Sequence, residues 1–173
     1  MVQKSTISQM VEFMSSNNSM KTSTDSLVGH RAWLFQANPT KYRIYDSLRT
    51  ESIELWNLRQ HAGSVHAGHR VVIWLSGADA GIYAVGTVMA NPTITSDSEV
   101  GQRYWEDARD GRRAIARVPV RYDEVLLKRP LSKVYLQAIP DLWSMKILRS
   151  PRGTNFPVTD KEWKVIHDLL FNP

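Results

Sequence analysis

The sequence predicts an α+β fold built around a small β-barrel of about five to six strands flanked by short helices. Three observations carry that expectation. A chain of 173 residues without cysteine is long enough for one hydrophobic core and has no disulfide scaffold to replace it. Runs rich in Val, Ile and Trp dominate its middle, and short helical patterns bracket them. No repeat of fixed period is visible, which removes solenoids and propellers.

Residues 1–28 read as an N-terminal extension and 29–173 as the packed domain. Ile7, Met10, Val11 and Met14 fall at helical spacing, and Thr6 with Gln9 can form a capping box. Ser15 to Ser26 carries only Met20 as an apolar member, too little apolar surface to offset its ordering entropy, and reads as a linker. His30 to Gln36 then predicts a strand with Trp33 and Phe35 on one face and Ala32 and Leu34 on the other. Asn38-Pro39 stops it, and Tyr42 to Leu48 reads as a short helical turn.

Leu55 to Val65 reads as a helix with Trp56 and Gln60 on one side. Arg70 to Leu75 is a nearly continuous apolar strand, turned by Ser76-Gly77-Ala78-Asp79 into a second strand from Ala80 to Met89. Gly81 and Gly86 in that return imply a bend or a close backbone approach. Ala114 to Tyr122 reads as a strand with Arg117 and Arg121 on a wet face, and Pro119 argues for an edge or a bulge. Leu131 to Ile139 reads as a short helix ended by Pro140, and Met145 to Leu148 as a strand. Thr159 and Glu162 form a capping box that opens an amphipathic helix through Trp163, Ile166, Leu169 and Leu170.

Composition narrows the function. Without cysteine there is no Cys-ligated zinc or iron–sulfur site and no thiol nucleophile. No apolar run approaches the roughly 20 residues that span a bilayer. Met1-Val2-Gln3-Lys4 opens without the apolar stretch of a signal peptide, so the expectation is a soluble, cytoplasmic protein with no membrane partner. The net charge is a modest +5, but residues 101–152 hold twelve of the 22 basic side chains and six of the 17 acids. Most of those twelve are Arg, suited to forked contacts with phosphate. The excess motivates a nucleic-acid partner; the same pattern also fits a solvated surface.

Catalytic and metal signatures are weak. His61, His66 and His69 do not share one helical face, and no metal or other cofactor is expected. Asp141, Glu162 and Lys164 spell the order of a metal-dependent PD-ExK nuclease. That motif needs Glu and Lys on a strand, whereas here they open a helix. No P-loop, G-x-G-x-x-G or nucleophile elbow occurs. A binding protein, not an enzyme, is the expectation.

Aromatic side chains are the remaining functional material. Of six tryptophans, Trp33, Trp74 and Trp163 sit on apolar faces, and Trp143 completes the set. Trp56, in Leu55-Trp56-Asn57-Leu58-Arg59-Gln60-His61, and Trp105, after Arg103-Tyr104, have polar neighbours. A flat ring in that setting can stack on a base while arginines hold phosphates, or it can simply close the end of a barrel.

The order of motifs resembles the EVE domain. The resemblance runs through Trp33-Leu34-Phe35-Gln36-Ala37-Asn38-Pro39 with Tyr42 and Leu48, and through Trp56-Asn57-Leu58-Arg59-Gln60-His61. It continues over Gly68-His69-Arg70 into Val71-Val72-Ile73-Trp74-Leu75-Ser76-Gly77, the strand from Ala80 to Gly86, and the tail Leu148 to Phe156. It extends over nearly all of residues 30–170; His69 departs from the Asp that many members carry in that turn. The resemblance implies a PUA-like barrel related to YTH readers of methylated adenine. It also implies binding of a modified base in DNA or RNA, in some members beside a nuclease or motor subunit of modification-dependent restriction.

By position it makes Trp56 the stacking wall, with Asn38, Asn57 or Ser76 on the base edge. Thr154, Asn155 and Phe156 become a closing loop, and Trp74 or Trp105 a second wall. Arg59, Arg103, Arg109, Arg112, Arg113 and Arg152 become phosphate contacts. The function so implied is a reader of 5-methyl- or 5-hydroxymethylcytosine in DNA that flips the base into an aromatic pocket. A YTH-like reader of modified RNA is the alternative.

Overall fold

The computed structural model describes residues 31–172. The expected N-terminal helix and linker lie outside them. Eight strands make one curled mixed sheet, a half-barrel, whose continuous path is β2-β6-β4-β3-β1-β8. In chain order these are β1 (Ala32–Ala37), β2 (Ile53–Asn57), β3 (Arg70–Leu75), β4 (Gly81–Val88), β5 (Thr93–Thr95), β6 (Ile115–Val125), β7 (Leu131–Ser132) and β8 (Asn155–Val158). β5 adds to β6 and β7 to β4.

β1 and β3 run parallel, so the chain between them must cross over. That crossover carries helix α1 (Ile44–Thr50) and β2. The other pairings are antiparallel. The short helices α2 (Glu99–Gln102), α3 (Ala108–Arg112), α4 (Lys133–Gln137) and α5 (Lys146–Arg149) decorate the sheet, and α6 (Asp160–Phe171) closes the chain.

Two apolar layers follow from alternation along the strands. Trp33, Phe35, Val71, Ile73, Val118 and Val120 point into the curl and meet Ile44 and Leu48 of α1. Ala32, Leu34, Val72, Trp74, Phe156 and Val158 point outward, where Leu136, Ile147 and Ile166 of the C-terminal helices cover them. Helix α6 starts on the expected capping box: Glu162 N donates to Thr159 Oγ1 and Thr159 N to Glu162 Oε2, 3.2 and 2.9 Å. Gly86 is a close approach, because a Cβ there would overlap the Arg121 carbonyl oxygen.

Several expectations change. Leu55 to Val65 is not a helix: Ile53 to Asn57 pairs with Arg121 to Arg117 of β6, and turns follow. The long-range ladder overrides a weak local preference. Met145 to Leu148 is not a strand; Lys146–Arg149 is one helical turn that buries Ile147. β8 is a strand that the sequence reading did not include; it is the last strand of the path, where its Pro157 is tolerated. Pro119 lies inside β6, between the ladder that ends at Val88–Val120 and the one that begins at Thr93–Arg117. Arg117 is not on a wet face; it is fully buried.

Candidate functional site

A cavity of about 310 Å³ opens at the end of the half-barrel where β1, β2, β3 and β8 meet. Its rim is tied by short-range bonding. Ser76 donates from both N and Oγ to the Ala37 carbonyl, at 3.0 and 3.2 Å, joining the ends of the parallel pair. Gln36 N donates to Thr154 O at 2.8 Å and Gln36 Nε2 to Gly153 O at 2.7 Å, which holds the loop before β8 against β1. Gly153 has φ of 130°, a conformation that favours glycine. Asn38 folds its own turn, its Oδ1 accepting from Thr40 N and Oγ1 at 2.9 and 2.8 Å.

The floor contains a buried carboxylate. Glu54 alternates with Trp56 on β2, so both face inward. Tyr42 Oη donates to Glu54 Oε1 at 2.6 Å, and Ser47 Oγ to Oε2 at 3.1 Å. Tyr122 Oη also donates to Oε2 and accepts the Trp56 indole N–H at 2.9 Å. Burial pushes the Glu54 carboxyl above its usual range, against the pull of the three hydroxyls. Burial, then the carboxylate, raises both tyrosines. Trp56 is thus locked in place, with Phe35 behind it at 6.1 Å between ring centroids.

A second acid, Asp97, enters from the segment before α2. Trp105 Nε1 donates to Asp97 Oδ2 at 2.7 Å, Ser98 N donates to Oδ1 at 2.8 Å, and Arg117 Nη1 stands 3.6 Å from Oδ2. Burial raises the Asp97 carboxyl, opposed by Trp105 and Arg117. Arg117 also donates to the carbonyls of Thr95 at 3.2 Å and Asp110 at 3.2 Å, and to Asn57 Oδ1. Since that oxygen is taken, the Asn57 amide nitrogen is left for the cavity, with no partner among the described residues. Trp105 packs edge-on against Tyr42 at 5.0 Å. The cavity is therefore lined by two tryptophans, one unengaged amide donor and two carboxylates whose oxygens already accept from protein donors.

Of the residues expected from sequence, Asn38, Trp56, Asn57, Ser76, Trp105 and Thr154 line this cavity, as does Arg59. Trp74 and Phe156 lie in the outward apolar layer. Asn155 works as a tie: its Oδ1 accepts from Arg59 N and its Nδ2 donates to Asn57 O, each at 3.0 Å. Arg103, Arg109, Arg112, Arg113 and Arg152 are exposed outside the cavity lining, and Arg109 is paired with Asp107 at 2.7 Å.

The nuclease triplet is not brought together. Asp141 pairs with Lys161 at 2.7 Å and Lys164 with Asp168 at 2.5 Å, while Glu162 caps α6 and accepts from Ser144 Oγ at 2.8 Å. His69 Nδ1 accepts the Trp33 indole N–H at 3.0 Å, which anchors the turn before β3. Sequence reasoning missed Glu54, Asp97, Tyr42, Tyr122 and Arg117. The one available signal was Glu54 in phase with Trp56, a charge on what becomes an inward face.

Comparison with known proteins adds three findings. The family model described as "EVE domain" matches residues 31–169. No curated protein matches the chain. Among solved structures, human THYN1 protein in complex with DNA containing 5-methylcytosine shares the fold, with a TM-score of 0.61 and 15% identity over 80% of this chain and 96% of that one. A protein of Agrobacterium tumefaciens gives a TM-score of 0.60 at 20% identity over 83% and 96% of the two chains. One of Rhodopseudomonas palustris gives 0.58 at 20% over 79% and 90%.

Proposed function

The chain belongs to the EVE domain family, and from that premise we propose that it binds nucleic acid by reading a modified base, 5-methylcytosine or 5-hydroxymethylcytosine in DNA. The cavity carries the reading. Its volume of about 310 Å³ is at the small end of ligand sites, suited to one flipped nucleobase. Trp56 and Trp105 stand as walls for the ring. The Asn57 amide supplies a donor for the base's ring acceptors, while Asp97 holds the Trp105 indole N–H and Glu54 holds the Tyr122 hydroxyl that fixes Trp56. That the human THYN1 protein is found with 5-methylcytosine DNA supports the choice of base.

In this proposal Arg59, at the cavity, and the exposed Arg103, Arg109, Arg112, Arg113 and Arg152 hold flanking phosphates. The fuller form places the reader in the cytoplasm, delivering a nuclease or motor subunit in modification-dependent restriction. The family resemblance supports that part. The described residues contain no helix long and apolar enough to cross a membrane.

Competition between duplexes that differ only in the cytosine substituent tests the proposal, at fixed ionic strength because phosphate contacts are salt-dependent. One methyl in an apolar pocket discriminates about 10- to 200-fold. Equal affinity for modified and plain DNA refutes the reader role. Tighter binding to methylated RNA than to either DNA would move the assignment to a YTH-like reader.

A further inference from the structure

Away from the cavity, the chain from Trp143 to Ser150 gathers a second set of groups. Trp143 is 61% exposed, the most exposed tryptophan among the described residues, although its side chain is held: Nε1 donates to Gln137 O at 2.8 Å. An exposed ring fixed by its own N–H loses little freedom when something stacks on its face. The next residue, Ser144, opens a surface hollow of about 480 Å³ lined also by Lys146, Arg149 and Ser150. Lys146 and Arg149 are exposed, and neither forms an ion pair among the described residues.

The nearby acids are spent, Asp141 on Lys161 and Glu162 on the cap of α6 and on Ser144. The hollow thus keeps uncompensated positive charge, and the exposed Trp143 adjoins its first lining residue along the chain. The chain also runs from the hollow to the cavity rim. From Ser150 the chain passes through Pro151, whose carbonyl accepts from Gln36 Nε2 at 3.3 Å, to Thr154 of the lining. Arg149 is five residues from Thr154, at most about 18 Å away along an extended chain. That corresponds to roughly five nucleotide steps on one strand.

We propose that Trp143 with Lys146 and Arg149 forms a second nucleic-acid subsite, which stacks an unpaired base and grips its phosphates. The ligand class is a single-stranded DNA segment, because bases inside a duplex do not offer a free face to an outlying ring. This rests on the nucleic-acid-binding reading above, but it does not require the cavity to read a modification.

The test uses the full chain and an unmodified, fluorescently labelled DNA oligonucleotide of about 20 nucleotides, sized to span both sites. Trp143→Ala should weaken its binding about tenfold, and Trp143→Phe should retain most of it. Lys146→Ala with Arg149→Ala should lower the slope of log affinity against log salt by about 1.4; both positions are exposed, so this pair reports even if Trp143→Ala destabilises the fold. The ratio of affinities for modified and plain duplex should not move. Wild-type protein that ignores the single strand, or variants that bind it as wild type does, would overturn the subsite. A wild type indifferent to modification but sensitive to Trp143→Ala would instead sink the reader role and leave the subsite standing.

Discussion

Arg117→Met tests the electrostatic framework of the cavity most directly. Arg117 is fully buried, and its Nη1 lies 3.6 Å from Asp97, whose side chain is 2% exposed. At an effective dielectric constant near 20, two unit charges at that separation attract by about 4–5 kcal/mol. Methionine removes the cation and leaves Asp97 buried without it. It also withdraws donors from Asn57 and from the carbonyls of Thr95 and Asp110. Recovered apolar burial offsets only part, so the net loss should fall in the range of about 3–5 kcal/mol that is typical of a broken buried pair.

For a domain of this size that lowers Tm by roughly 10–20 °C. Urea unfolding should show a lower midpoint with an unchanged m-value. Adding Asp97→Asn should restore at least about 1.5 kcal/mol, because the uncompensated charge is then gone. A loss under about 1 kcal/mol for Arg117→Met, or strict additivity in the double variant, would refute the pairing.

Other outcomes follow from the same packing. Trp56→Ala should cost about 3–5 kcal/mol, since it empties a buried site and removes the indole donor to the Tyr122 hydroxyl; wild-type stability would show that the wall is not integral to the core. Gly86→Ala should destabilise by about 1–3 kcal/mol against the Arg121 carbonyl, measurable as a lower urea midpoint. Thr159→Ala should cost about 1 kcal/mol through the lost cap of α6.

Burial holds the Glu54 carboxyl above its ordinary 4.5, so the folded state binds that proton more tightly than the unfolded chain. Its contribution is then most favourable below about 4.5 and is lost as pH rises through the folded value. Glu54→Gln should flatten part of that decline and leave the share due to Asp97. A stability–pH curve unchanged by Glu54→Gln would show that the group is not desolvated.

The sequence was most legible where local pattern and tertiary role coincide. The alternation of Trp33 and Phe35 against Ala32 and Leu34, and the Thr159–Glu162 box, each state their structure within a few residues. β2 was misread because its identity comes from β6, some sixty residues away. Arg117 was misread for the same reason: a charge alternating with valines looks solvent-facing until Asp97 and Asn57 arrive from other parts of the chain. The cavity's aromatic and amide residues carried a family pattern, so they could be named. Its buried acids could not, since a lone Glu or Asp shows nothing of burial before the sheet curls.

The two ends of the sheet path, β2 and β8, meet without a backbone ladder between them. Side chains stitch that seam: the Asn155 amide reaches the backbone of residues 57 and 59, and Gln60 Oε1 accepts from Thr154 N and Oγ1 at 3.1 and 2.9 Å. A seam fastened by two amide side chains can part without breaking any strand pairing. It is therefore less firmly joined than the laddered strand pairs, and it runs along the mouth of the cavity. In hydrogen exchange the amides of Arg59 and Thr154 should open well before those of β3 and β4, and equal protection would show that the seam is as firm as the ladders.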